Sequence, residues 1–346
     1  KRSDGVDFTG VDYLLLGAAG VNAFVGNGPS GSPNALGLDL VGIDFSLLLF
    51  TDSSGPTDVT YTALKTSGGT ASLAGSSDLV LELSAFGVQL NRTSDTANPD
   101  RVLDFQDGAS DSVAGIPVTP AAGPVLDFEG EQGALKRVTG TAALNAFGAL
   151  VAVGTIDLRF GNLTVDDGVI TPFRANVLSV SVSGASLFMG TGARLNQAKT
   201  GIITTTADAD PANNLLADAV GFTASGASLT MSFLDAGTVS YIGVVATVAN
   251  ASLVGVSGMD LSVSGTVKVN ATTRPDGQLL NWTAASTTND SNDQLVDMDV
   301  SAAHQLQITG ASLNVAGSLV AVIGNLSLDI ATATVETGNP AILGLS

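Results

Sequence analysis

The chain has 346 residues with 13 Lys+Arg against 32 Asp+Glu, one histidine, 17 aromatics (13 Phe, 3 Tyr, 1 Trp), 41 glycines and no cysteine. That inventory excludes a disulfide scaffold, a cysteine nucleophile and any zinc site built from thiolates or paired imidazoles. A formal charge of −19 disfavours nucleic acid as a partner, because phosphates would be repelled and no basic run offsets the acidity.

The chain opens on Lys1-Arg2-Ser3-Asp4-Gly5, with no apolar leader pattern, and reads as a segment cut from something longer. From Asn22 onward the two halves can be laid on each other. Asn22-Ala-Phe-Val-Gly-Asn-Gly28 pairs with Ser186-Leu-Phe-Met-Gly-Thr-Gly192, and Gly42-Ile-Asp-Phe-Ser-Leu47 with Gly226-Ala-Ser-Leu-Thr-Met231. Tyr61 matches Tyr241, Ala71-Ser-Leu-Ala-Gly75 matches Ala251-Ser-Leu-Val-Gly255, and Asn91 matches Asn270. Val138-Thr-Gly140 and Leu150-Val-Ala-Val153 then match Ile308-Thr-Gly310 and Leu319-Val-Ala-Val322. The spacing predicts two tandem modules, 1–168 and 169–346, with insertions confined to polar segments.

A shorter period runs inside each module. Gly148, Gly154, Gly161 and Gly168 recur every six or seven residues and bracket alternating apolar and polar positions; Gly310, Gly317 and Gly324 repeat the pattern. Alternation of period two predicts strands, and helix is nearly absent. Glycines at this interval suit the corners of a coil, so the expected fold is all-β, a parallel β-solenoid or β-helix. Tandem β-sandwich modules are the alternative. Beyond the opening Asp4-Gly5, tight Asp-Gly turns occur only at Asp107-Gly108, Asp167-Gly168 and Asp276-Gly277, fewer than a meander of hairpins should show. The long uncharged stretches 236–259 and 300–328 are rich in Gly, Ser, Thr and Val and alternate as strands do, so no membrane span is expected. A transmembrane barrel would also need aromatic girdles that these stretches lack.

Segments such as Tyr61-Thr-Ala-Leu-Lys-Thr-Ser-Gly-Gly-Thr-Ala-Ser-Leu-Ala-Gly75 and Ala251-Ser-Leu-Val-Gly255, with Asn22 to Gly26 and Val102-Leu-Asp-Phe105 as signposts, resemble the tandem modules of very large bacterial surface proteins. Those proteins are adhesin-like and often labelled calcium-binding. The resemblance implies an exported, extracellular or cell-surface structural array whose partners are other copies or adjacent modules, with surface polysaccharide as a further candidate. It transfers no catalytic residue, and no enzyme activity is expected.

The acidic loops are the candidate metal ligands. Asp95, Asn98 and Asp100 form one group, Asp208, Asp210 and Asn213 a second, and Asp290, Asn292 and Asp293 a third; Asp107-Gly-Ala-Ser-Asp111 is similar. Calcium takes six to eight hard oxygens, and closely spaced Asp and Asn can offer several from one loop. None follows the EF-hand pattern, so solvated turns are the competing reading. Calcium is therefore the one cofactor expected, serving a calcium-dependent carbohydrate- or protein-binding module as the alternative function. His304 lacks any nucleophile motif and is assigned no role. Seven Asn-X-Ser/Thr sequons occur, at Asn91, Asn162, Asn250, Asn270, Asn281, Asn289 and Asn325; Asn91 and Asn270 read as turn formers at strand ends. Trp282 reads as the cap of a core edge.

Overall fold

The computed structural model describes residues 1–8, 11–28, 35–75, 79–105, 118–288, 295–301 and 304–330. Strands dominate. They are β1 (Tyr13–Asn27), β2 (Leu36–Asp52), β3 (Val59–Ser67), β4 (Thr70–Ala74), β5 (Leu79–Thr93), β6 (Leu135–Ala146), β7 (Leu150–Val165) and β8 (Phe173–Thr191). After a short ribbon of β9 (Arg194–Leu195) and β10 (Ile202–Ile203) come β11 (Val220–Asp235), β12 (Ser240–Val254) and β13 (Met259–Thr272). The one α-helix among the described residues, α1 (Trp282–Thr288), precedes β14 (His304–Val315), β15 (Ser318–Ile323) and β16 (Leu326–Ile330). No helix among them is long and apolar enough to cross a membrane.

All strands except the β9–β10 ribbon join one 14-stranded sheet in the order β1-β2-β3-β5-β6-β7-β8-β11-β12-β13-β14-β15, with β4 beside β2 and β5, and β16 beside β14. Every ladder in it is antiparallel, from β1–β2 to β14–β16. The expected parallel solenoid is therefore corrected to a large antiparallel sheet. The sheet runs unbroken through positions 168 and 169, since β7 and β8 pair from Val165↔Phe173 to Leu150↔Met189.

The glycines explain the difference. Gly154 and Gly161 lie inside β7 and Gly310 inside β14, so they are strand interiors rather than corners. A row of β-bulges crosses the sheet at mid-strand, with register shifts between Ala18 and Ala23, Ser84 and Gly87, Ala224 and Leu229, and Val248 and Ala251. Gly42 and Gly226, matched in the sequence, sit in this row with φ of 69° and 60°, where a side chain would be strained. A bulge inserts one residue without ending the strand, so strands of 15 to 19 residues read locally as two short ones. Turns were missed for a similar reason: the β6–β7 and β14–β15 hairpins use Phe147-Gly148 and Ala316-Gly317, with positive φ at both residues but no Asn or Asp to signal it.

The extra residue keeps each strand's alternation in phase across the bulge. On β2, Leu40 pairs with Ala23 and Ile43 with Val21, so Leu36, Leu38, Leu40, Ile43, Phe45, Leu47 and Leu49 share one face. Pairing carries that face through Leu158, Val180, Met231, Val244 and Val269 to Leu306 and Ile308. The opposite face carries Ser179, Ser181, Ser232, Thr266, Lys268 and the Arg137–Asp157–Arg159 group.

Among the described residues the connections cover only this second face. Segment 94–134 lays Leu103, Phe105, Leu126 and Phe128 over Leu48, Phe50, Tyr61 and Ala63, and Phe8 packs edge-on against Phe50 and Tyr61. Segment 273–303 lays Leu280, Trp282, Ala285, Met298 and Val300 over Leu163, Val177, Leu234 and Tyr241. Segment 192–219 puts Ala193 and Ala219 against Val151 and Phe188. Trp282 is fully buried at the centre of its cluster rather than at an edge.

Between the loops this face holds the Arg137–Asp157–Arg159 group. Asp157 accepts two hydrogen bonds from Arg137, at 2.8 and 2.9 Å, and two from Arg159, at 2.8 Å from Nη2 and 3.1 Å from Nε. Partial burial opposes its ionisation, yet the two guanidiniums hold its pKa below the ordinary 3.8. A depressed carboxyl pKa contributes stability above the unfolded value and loses it as pH falls through the folded value. Asp157→Asn should cost about 1–3 kcal/mol at pH 7 by leaving two half-buried arginines without their carboxylate. Urea midpoints of the two proteins should converge below pH 3.8; a gap that persists in acid would assign the loss to packing.

Candidate functional site

The three predicted ligand groups fare differently. Asp290, Asn292 and Asp293 lie outside the described residues, as do Asp107 and Asp111. In the first described loop, Oδ1 of Asp95 accepts the backbone N–H groups of Ala97 and Asn98, and Oδ2 accepts the Asn98 side-chain amide at 3.0 Å. The Asn98 amide is the main cause of the lowered Asp95 pKa. Asp100 forms an ion pair with Arg174, at the start of β8. Cations of the chain itself, Arg174 and Arg101, line the same shallow hollow as Thr96, Asn98 and Asp100.

The second loop is built the same way. Oδ1 of Asp208 accepts from the Asp210 N–H, and Oδ1 of Asp210 accepts from the N–H groups of Gln197 and Ala212. The Asn213 amide donates to the carbonyls of Thr205, Thr206 and Asp208. Asp218, absent from the predicted set, accepts from the Thr206 N–H and from both Thr205 and Thr206 hydroxyls, and these bonds lower its pKa. Asp95, Asp208 and Asp210 each turn an oxygen to backbone N–H groups as turn caps, whereas Asp100 is held by Arg174. Among the described residues no three His, Asp or Glu side chains converge as metal ligands would.

What sequence reasoning undervalued is the matched pair Asn91 and Asn270. Both are buried, at 1% exposure. The Asn91 amide donates to the Leu103 carbonyl at 2.6 Å and its Oδ1 accepts from the Leu103 N–H. The Asn270 amide donates to the Leu280 carbonyl at 2.8 Å while its Oδ1 accepts the Trp282 indole N–H at 3.0 Å. Each is a bracket between a strand and the loop above it rather than a turn former. Asp167 plays a related part: it caps the β7–β8 turn through Val169 and Ile170 and holds the Asn281 N–H at 3.0 Å.

The remaining surface of note is the apolar sheet face. Leu36 (60% exposed), Met189 (56%) and Phe222 (53%) lie on it, with Leu16, Leu81, Phe160 and Val267 also exposed. Charged residues occur on it only near one end of the strands, as Arg92, Lys136, Arg174 and Asp235. Monomeric proteins rarely expose apolar patches beyond a few hundred Å². Its sequence signal was the alternation itself, read through each glycine instead of stopping at it. Comparison with protein-family models, with curated proteins and with solved structures returned no match.

Proposed function

We propose that this chain is a structural or adhesive repeat module of an exported bacterial surface or filament-forming protein, working by stacking with other copies or adjacent modules. The observation that carries the reading is the state of the sheet's edges. Along β1, Tyr13-Leu-Leu-Leu-Gly-Ala-Ala-Gly-Val-Asn-Ala-Phe-Val-Gly-Asn27, there is no charge and no proline. Among the described residues it pairs only with β2, and β15 at the other end of the strand order pairs only with β14. Isolated proteins normally blunt such edges with lysine, proline or a covering segment, because unpaired N–H and C=O groups recruit further strands. An edge left plain over 15 residues suits a sheet that continues into a neighbour.

Sedimentation velocity tests this, with and without calcium. The expected result is concentration-dependent, elongated assembly that charging the edges weakens in the double variant Ala19→Lys/Val322→Lys, both residues being exposed and on the loop-bearing side. A particle whose association ignores those substitutions would sink the edge reading, and one that associates only with calcium would favour the ion-dependent binding module.

A further inference from the structure

We propose that the bare apolar face is an isologous interface, covered in solution by the same face of a second copy to make a two-layer sandwich. The inference rests on the assembly reading above and names a second surface for it.

Three observations favour this occupant. The first is extent. Strands about 4.8 Å apart along a twelve-strand path, apolar from Leu178 to Met189 on β8, give a face of about 50 by 35 Å, on the order of 1,800 Å² per copy. A standard interface needs only about 800 Å² per partner, so this area falls in the range of obligate homodimers. The second is chemistry. The central positions, Val180, Val182, Leu229, Met231, Val244 and Val267, are aliphatic or Met, so a self-complementary contact would bury neither an unpaired charge nor an unpaired hydrogen-bonding side chain there. Among the described strand residues, Asp235 is the one acidic side chain on this face. Antiparallel sheets in water commonly keep one face solvated and pack the other; here the loops already occupy the polar side, leaving the apolar side for a partner.

The third observation separates a second copy from a bilayer. A lipid-facing band is framed by Tyr and Trp at its two rims. In this chain Tyr61, Tyr241 and Trp282 are buried beneath loops on the opposite face, and the remaining Tyr13, 65% exposed at the end of the edge strand β1, pairs with Phe50 on that same opposite face.

The test uses the whole chain and exploits its lack of cysteine. Sedimentation equilibrium should give a dimer whose dissociation constant rises at least tenfold in Met231→Lys and is unchanged in Ser181→Lys, a neighbouring position on the opposite face. The edge variant Ala19→Lys/Val322→Lys should keep the dimer while losing longer assemblies, so failure of the edge reading and failure of this one give different results. Single cysteines at Val244 and Leu81 should be shielded from maleimide in the dimer and react at dilution, and one at Ser181 should react throughout. Far-ultraviolet dichroism and Trp282 fluorescence confirm that each variant is folded. A protein that stays monomeric at tens of micromolar with both face cysteines freely labelled overturns the proposal. So does flotation with phosphatidylcholine vesicles in place of dimerisation.

Discussion

Replacing Trp282 with alanine should be the most damaging single change in the described structure, costing about 3–5 kcal/mol in unfolding experiments. The ring is fully buried in the cluster that joins α1 and its flanking segments to β7, β8, β11 and β12. It rests on Gly243: a Cβ added there would lie 2.6 Å from the ring, so the strand leaves out a side chain to admit the indole. The substitution removes the largest apolar surface in the cluster and the indole N–H partner of Asn270 Oδ1. Trp282→Phe should recover most of the packing but not the hydrogen bond, and so lose about 1–3 kcal/mol. Gly243→Ala approaches the same contact from the strand side and should destabilise by about 1–3 kcal/mol through overpacking. As Trp282 is the only tryptophan, its fluorescence follows this half of the sheet directly. A Trp282→Ala protein with a urea midpoint near that of the parent would show that segment 273–303 is dispensable for the strands beneath it.

The second large effect falls on the buried asparagines. Asn91→Ala and Asn270→Ala should each cost about 2–3 kcal/mol, because each strands a buried carbonyl, of Leu103 or Leu280, beneath its loop. The two sites lie in separate clusters with no shared partner, so the double variant should lose the sum to within about 0.5 kcal/mol. Hydrogen exchange should rise first in 94–105 for one and in 273–288 for the other. Both asparagines head sequons, yet a side chain 1% exposed cannot carry a glycan in the folded chain. Expression in a glycosylating host should therefore leave Asn91 and Asn270 unmodified, and a glycan found on either in folded protein would refute the bracket.

These results also mark how far the primary structure could be read. Period-two alternation announces an all-β chain, and that holds because side-chain facing in a strand is a local property of the backbone. The match of Asn91 to Asn270 and of Tyr61 to Tyr241 was visible as well, and in the structure each pair does the same job under its own loop. The acidic clusters were visible as loops. Their use was not, because whether Asp95 or Asp210 turns its oxygens outward to an ion or inward to the backbone depends on loop geometry that composition does not encode.

Strand direction was out of reach for a firmer reason. A glycine every six or seven residues is compatible with a coil corner and with a bulge at mid-strand, and only pairing with a partner 20 to 50 positions away, such as Gly42 facing the β1 bulge or Ala227 opposite Ala185, separates them. Antiparallel register is a non-local decision. So is the fate of the two faces: the residues alone determined that one would be aliphatic and the other polar. Only the tertiary structure decided that the described parts of all three long connections fold over the polar side, two of them anchored by Asn91, Asn270 and Asp167 and the third by Ala193 and Ala219 packing on Val151 and Phe188, while the aliphatic side is left to meet a partner.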